Sequence, residues 1–204
     1  MRAMYVAAVS RDASHRFSKQ PVDAIVLVAG LGVVGDAHSG RFVQHRSRVR
    51  RDPRQLNLRQ VHVIHAELFD EAHAMGFELS PGDLGENILT AGVDLLGLPT
   101  DTTLRMGTAA LRLTGLRNPC AQINDFRPGL LKVVLQRADG TPTEEPAPPT
   151  GSVNASTPDV IRKAGVMAVV QRGGQVRAGQ PITIDLPPRP PSPACSGVTT
   201  LAPV

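Results

Sequence analysis

The sequence predicts a mainly β fold, a β-barrel or strongly curled sheet with a few peripheral helices, on three observations. Short runs rich in Val, Ile, Leu and Thr outnumber helical runs, most of them stop at Gly, Pro or Asp, and helical patterns are scattered rather than alternating with strands. The last point argues against a wound βαβ sheet. Eight runs carry the strand expectation: Ala3–Val9, Ala24–Val28, Gln60–Ile64, Glu86–Leu89, Thr103–Met106, Ala109–Thr114, Val166–Gln171 and Ile182–Leu186. Two helices are expected. Over Ala66–Gly76, Leu68, Phe69, Ala72 and Met75 recur at helical spacing, and over Gly129–Arg137 a Pro-Gly pair opens a run of Leu130, Leu131, Val133 and Val134.

A chain of 204 residues suits one domain, expected over 1–186. Folding at this size buries roughly 70% of the unfolded surface, enough for a core without a disulfide or metal staple. Residues 138–159, rich in Pro, Thr and Glu, read as a flexible insertion, and the Pro-rich segment 187–204 as a disordered tail. Of the two cysteines, Cys195 falls in that tail, so no Cys120–Cys195 bridge is expected. The N-terminal residues alternate rather than forming a signal peptide, and no run approaches the roughly 18 apolar residues of a membrane span. The expected setting is the cytoplasm, with reduced thiols and no membrane.

The net charge is +4, and only three of the 22 basic residues are lysines. Arginine is the better bidentate partner of phosphate and carboxylate, so the balance allows an anionic ligand without naming one. Arg41–Arg59 concentrates seven arginines against the single acid Asp52. A nucleic-acid arm would add aromatic stacking platforms, but only Phe42 stands in the run, so a solvated basic loop flanking a pocket is the expectation and nucleic acid is not an expected partner.

Two glycine-dense turns follow or precede strands: Gly32–Gly40, carrying Asp36 and His38, and Pro81–Ile88, carrying Asp83, Gly85, Glu86 and Asn87. Each can present N–H groups to an anion or a heterocycle edge; each can equally be a locally capped turn. The Gly-Lys-Ser/Thr ending of a nucleotide P-loop is missing. His62 and His65 straddle a strand–helix junction, and no zinc-type spacing occurs. In Leu116–Asp125, Cys120 follows Arg117, Asn118 and Pro119. A thiol beside an arginine in a Pro-restrained turn suits an electropositive, reactive thiolate; a small buried hydrophobe is the plainer reading.

Five segments in this order resemble the MOSC family, named for the C-terminal domain of molybdenum-cofactor sulfurase. They are Gly35–Gly40, Arg59–Ile64, Pro81–Ile88, Gly115–Cys120 and Ala164–Met167, within a likeness running from about Val22 to Leu186. The likeness is to the small stand-alone bacterial members. It implies a pyruvate-kinase-barrel-like β-barrel with a cleft for molybdenum cofactor, and it aligns the family's signature cysteine with Cys120, as molybdenum ligand or persulfide carrier. It further implies that Arg117 lowers the thiol's pKa and meets an anion, that Arg59 anchors the anionic end, and that Gly85, Glu86, Asn87, Asn118 and Asp36 bind cofactor. His38 is the implied proton donor. The 204 residues leave no room for the pyridoxal-phosphate domain of full sulfurases, so that cofactor is not expected here. The function implied is an oxidoreductase reducing N-hydroxylated small molecules, served by a separate electron-donor protein. The alternative is a sulfur-carrier or cofactor-delivery module that takes a persulfide on Cys120 from a sulfur donor.

Overall fold

The computed structural model describes residues 3–137, 139–144 and 160–188. The chain opens with β1 (Tyr5–Arg11), β2 (Gln20–Val22), β3 (Ala24–Val28) and β4 (Gly32–Val33). Then come α1 (Arg46–Arg51), β5 (Val61–His65), α2 (Glu67–Ala74), β6 (Ile88–Ala91), β7 (Thr103–Met106) and β8 (Ala109–Leu116). The last part holds α3 (Gln122–Phe126), α4 (Leu131–Val134), β9 (Leu135–Arg137), β10 (Val160–Arg162), β11 (Val166–Arg172), β12 (Gly174–Arg177) and β13 (Ile182–Asp185).

Eight strands form one sheet in the order β13-β7-β8-β11-β5-β6-β1-β2, antiparallel at every pairing except β5–β6. A second sheet, β12-β3-β4, and a two-stranded ribbon, β9-β10, accompany it. The flank of β1 reaches the segment leading into β13: Val6 N–H donates to Gln180 O at 2.9 Å, Gly179 N–H to Val6 O at 2.8 Å, and Ile182 N–H to Met4 O at 2.9 Å. Tyr5 and Pro181 form only an isolated bridge there. The mainly β architecture therefore stands, whereas a closed barrel is not established.

Strand β5 is buried along its whole length, which explains why its sequence lacks a polar face. Val61 and Val63 join the larger core, with Val6, Ile25, Leu104, Leu111, Leu113 and Val166. Ile64 points into a second core built from Leu68 and Ala72 of α2, Ile123 of α3, and Leu131, Val133 and Val134 of α4. Each large side chain so buried stabilises the fold by about 1.5–3 kcal/mol. Because the sheet carries apolar residues on both faces at β5, helices cover one side of it and strands the other.

Two expected elements are corrected. The helix expected over Gly129–Arg137 splits into α4 and β9, because Leu135, Gln136 and Arg137 pair with Arg162, Ile161 and Val160. The strand expected from Glu86 begins at Ile88: Glu86 binds back to Gly82 in the preceding turn, and the Asn87 side chain reaches across to Asp36 and Ser10. Of the expected insertion, residues 139–144 are described and the rest of 138–159 lies outside the described residues, as does 189–204 of the tail. Among the described residues no helix is long and apolar enough to cross a membrane.

Gly165 fixes how β11 approaches β5. Its φ is +85°, and a Cβ there would lie 2.2 Å from Val63 O. Gly165→Ala combines a left-handed backbone with an immovable clash, so a loss of about 2–4 kcal/mol is expected. The urea midpoint reads it; an unchanged midpoint would show that the two strands can separate at no cost.

Candidate functional site

At one end of the main sheet, the segments after β4, before β6 and after β8 converge on a cavity of about 730 Å³. Strand β5 supplies His62, β11 supplies Met167, and α1 with the segment up to Arg59 supplies Arg48, Arg51, Leu56 and Leu58.

Beneath this cavity lies a buried ion pair. Lys19 Nζ sits 2.6 Å from Asp36 Oδ2, with the two side chains 5% and 1% exposed. The same Oδ2 accepts from Asn87 Nδ2 at 2.9 Å, and Oδ1 accepts from the His38 backbone N–H at 2.9 Å. Burial alone would raise the Asp36 carboxyl. Hydrogen bonding from His38 and the Lys19 charge outweigh it and hold the group well below the usual carboxylate range. Asp36 is therefore an anion, and the His38 ring stands beside it, Nδ1 to Oδ1 at 3.4 Å. Asn87 links this pair to β5: its Oδ1 accepts from His62 N–H at 3.2 Å, and His62 Nε2 donates to Ala164 O at 2.7 Å. Burial keeps the His62 ring well below its ordinary pKa, hence neutral.

The turn before β6 explains why its glycines are needed. Gly82 has φ +92°, and a Cβ there would lie 2.2 Å from Lys19 O, so only glycine lets the turn rest on the segment that carries the lysine. Lys19 N–H donates to Gly82 O at 2.8 Å. The fully buried Glu86 accepts from Gly82 N–H through Oε1. Its Oε2 is buried without a hydrogen-bond partner among the described residues, and burial raises its pKa.

Cys120 closes the turn after β8. It is half-buried, and among the described residues its Sγ has one hydrogen-bond partner, Gln122 Oε1 at 3.5 Å. Arg117, held by its N–H to Gly165 O at 2.9 Å, turns its guanidinium into the interior over the Phe17 ring, 5.9 Å from the centroid. Its Nη1 is buried with no hydrogen-bond partner among the described residues. Burial also lowers the Arg117 pKa, against the attraction of Cys120 and Glu86. Arg59 is pushed down to about 10, by burial first and then by the charges of Arg48 and Arg117. The floor of the cavity is thus a positive, desolvated surface around a thiol.

Of the residues singled out from sequence, His38, Arg59, Gly85, Asn87, Arg117, Asn118 and Cys120 line the cavity together. Asp36 and Glu86 lie behind the lining, where they fix its turns. Asn118 Oδ1 also accepts from Arg162 Nε at 3.3 Å. Sequence reasoning missed Lys19, His62, Arg48 and Arg51 as lining residues. The arginine run, expected as a solvated basic loop flanking a pocket, does border the cavity, but part of it is the helix α1 rather than a loop. No group of His, Cys, Asp and Glu among the described residues suits a metal ion held by such side chains alone.

A MOSC domain model matches residues 52–183. The crystal structure of the YuaD protein from Bacillus subtilis is similar over 90% of this chain and 97% of its own, with a TM-score of 0.65 and 23% identity. YiiM from Geobacillus stearothermophilus is similar over 89% of this chain and 75% of its own, with a TM-score of 0.55 and 13% identity. YiiM from Escherichia coli is similar over 90% of this chain and 71% of its own, with a TM-score of 0.52 and 16% identity. No curated protein matches the chain. The matched span covers more than half of the chain and takes in the cysteine-bearing turn, so the chain belongs to the MOSC domain family.

Proposed function

We propose that this protein binds molybdenum cofactor in the cavity at Cys120 and acts as an oxidoreductase on N-hydroxylated small molecules. The observation that carries the reading is the buried, unpartnered Nη1 of Arg117 beside the thiol. A desolvated guanidinium donor left unsatisfied costs free energy unless an anion completes it, and a thiolate is the soft donor that suits molybdenum. The residues present therefore fit the group. Cys120 would hold the metal, Arg117 and Arg59 its anionic end, and Asn87, Asn118 and the Gly85 backbone the pterin edge.

When bound, the cofactor supplies two-electron redox chemistry with oxygen acceptance. The chain's own part is to bind, orient and move protons. Asp36, anionic and immobilised by Lys19 and Asn87, orients the His38 ring through Nδ1 and leaves Nε2 to deliver a proton. The Val43, Leu58 and Met167 side chains add apolar surface between the cations of the lining, against which a substrate body can pack. The net reaction, R–NHOH plus two electrons and two protons giving R–NH2 and water, takes its electrons from a separate donor protein.

The test is elemental analysis of protein made in a host that produces molybdenum cofactor, with released pterin assayed as its fluorescent oxidation product. Near-stoichiometric molybdenum and pterin are expected. Absence of both from well-folded protein, together with one added sulfur on Cys120 by mass spectrometry after exposure to a cysteine desulfurase, would overturn this reading in favour of a sulfur carrier.

A further inference from the structure

The cavity holds more positive charge than one anion needs. Six cations line it, Arg16, Lys19, Arg48, Arg51, Arg59 and Arg117, against the single carboxylate Asp52, whose Oδ1 already accepts from Arg54 N–H at 2.9 Å. Lys19 is neutralised by Asp36. Arg16 is exposed and acts on Asp12, and the other four fall into two tiers. Arg59 and Arg117 share the cavity lining with Cys120, and the Arg117 guanidinium turns inward over the Phe17 ring. Arg48 and Arg51 come from α1 at the mouth, half-buried and exposed respectively, with no ion pair to either among the described residues.

Neighbouring arginines repel, and partly buried ones also lose hydration, so such a file persists most readily where a ligand's charge offsets it. Guanidinium forks match phosphate oxygens bidentately, which favours phosphate over a diffuse anion. Beside the mouth arginines, Leu56 and Leu58 line the cavity although 57% and 43% exposed. Exposed leucines in the same cavity lining as arginines that have no ion pair among the described residues suit a ligand with an apolar body and a phosphate.

We infer that Arg48 and Arg51 form a second anion subsite at the cavity mouth that takes a phosphate on the substrate, so the substrate class is N-hydroxylated nucleotides rather than free bases. This rests on the cofactor reading above, in which Arg59 and Arg117 serve the deeper anion. The shared chemistry is a second phosphate, and its other source would be a further phosphate on the cofactor itself.

Calorimetric titration of the full chain with AMP and with adenosine separates these cases, because neither probe is N-hydroxylated and no turnover intervenes. AMP is expected to bind about tenfold or more tightly than adenosine. The Arg48→Ala/Arg51→Ala protein should lose most of that preference with an unchanged thermal melt. Arg50→Ala, which alters an exposed α1 arginine outside the lining, should keep it. The preference should be the same in cofactor-loaded and cofactor-free protein. Equal binding of AMP and adenosine, a preference that survives the double substitution, or an equal loss in Arg50→Ala would overturn the subsite. AMP binding only in cofactor-free protein would overturn the substrate assignment and give the mouth to the cofactor. Failure of the cofactor reading appears separately, as missing molybdenum and pterin, whatever AMP does.

Discussion

Cys120→Ser is expected to bring bound molybdenum from near one per chain to background and to abolish reduction of N-hydroxylated substrates, while Cys195→Ser changes neither. Serine keeps the shape but replaces a soft, readily ionised sulfur with an oxygen that stays protonated at neutral pH. Losing a direct ligand should exceed the roughly 10–100-fold cost of losing an outer partner of a metal site. The substitution is not expected to disturb folding, since the half-buried Sγ has only the exposed Gln122 side chain as a hydrogen-bond partner among the described residues and serine can keep that bond. A urea midpoint within about 0.5 kcal/mol of the parent is the control. If Cys120→Ser kept stoichiometric molybdenum, the thiol would not be the ligand.

Asp36→Ala should cost about 3–5 kcal/mol, the usual penalty for leaving one member of a buried ion pair uncompensated. Here the survivor is Lys19, 5% exposed, and the Asn87 amide loses one of its two acceptors in the same step, keeping Ser10 O. Removing the charge on both sides, as Asp36→Asn with Lys19→Met, should recover much of the loss, because the cost lies in the unpaired ammonium. The pH dependence has a definite sign. The folded-state pKa of Asp36 lies below its unfolded value, so its contribution is fully present above about pH 3.9 and is lost as pH falls through the folded value. Denaturation curves should therefore show the full difference between parent and Asp36→Ala at pH 7 and a shrinking one below about pH 3.9. A difference that stayed constant into that acid range would mean that the pair is not what stabilises this turn.

The sequence was most legible where a strand is long enough to show its own pattern. Ala24–Val28 and Thr103–Met106 are strands over the residues expected. Short elements were not legible: β2 contains Pro21, β4 is two residues long, and β9 exists only because residues more than twenty positions onward pair with it. Local propensity carries no trace of such partners. The site divides in the same way. The glycine turns and the cysteine turn carry their chemistry in adjacent residues, whereas Lys19 stands in a polar stretch without a motif, and its role comes from Asp36, seventeen positions away. One signal was available. In a chain with three lysines among 22 basic residues, each of the three is ion-paired, to Asp36, Glu144 and Glu71. The arginine run gave the opposite difficulty, since charge density alone does not say which side chains turn inward.

Strand β5 is paired along both edges and buried on both faces, and it carries His62 into the cavity. Backbone amides in such a position exchange with solvent only when the whole domain opens, whereas a six-residue helix without a side-chain cap, such as α1, opens at far lower free energy. The cavity is thus bounded by two foldons of unequal stability. Its floor keeps the stability of the global fold, and any widening that admits a bulky ligand falls to the arginine-bearing wall.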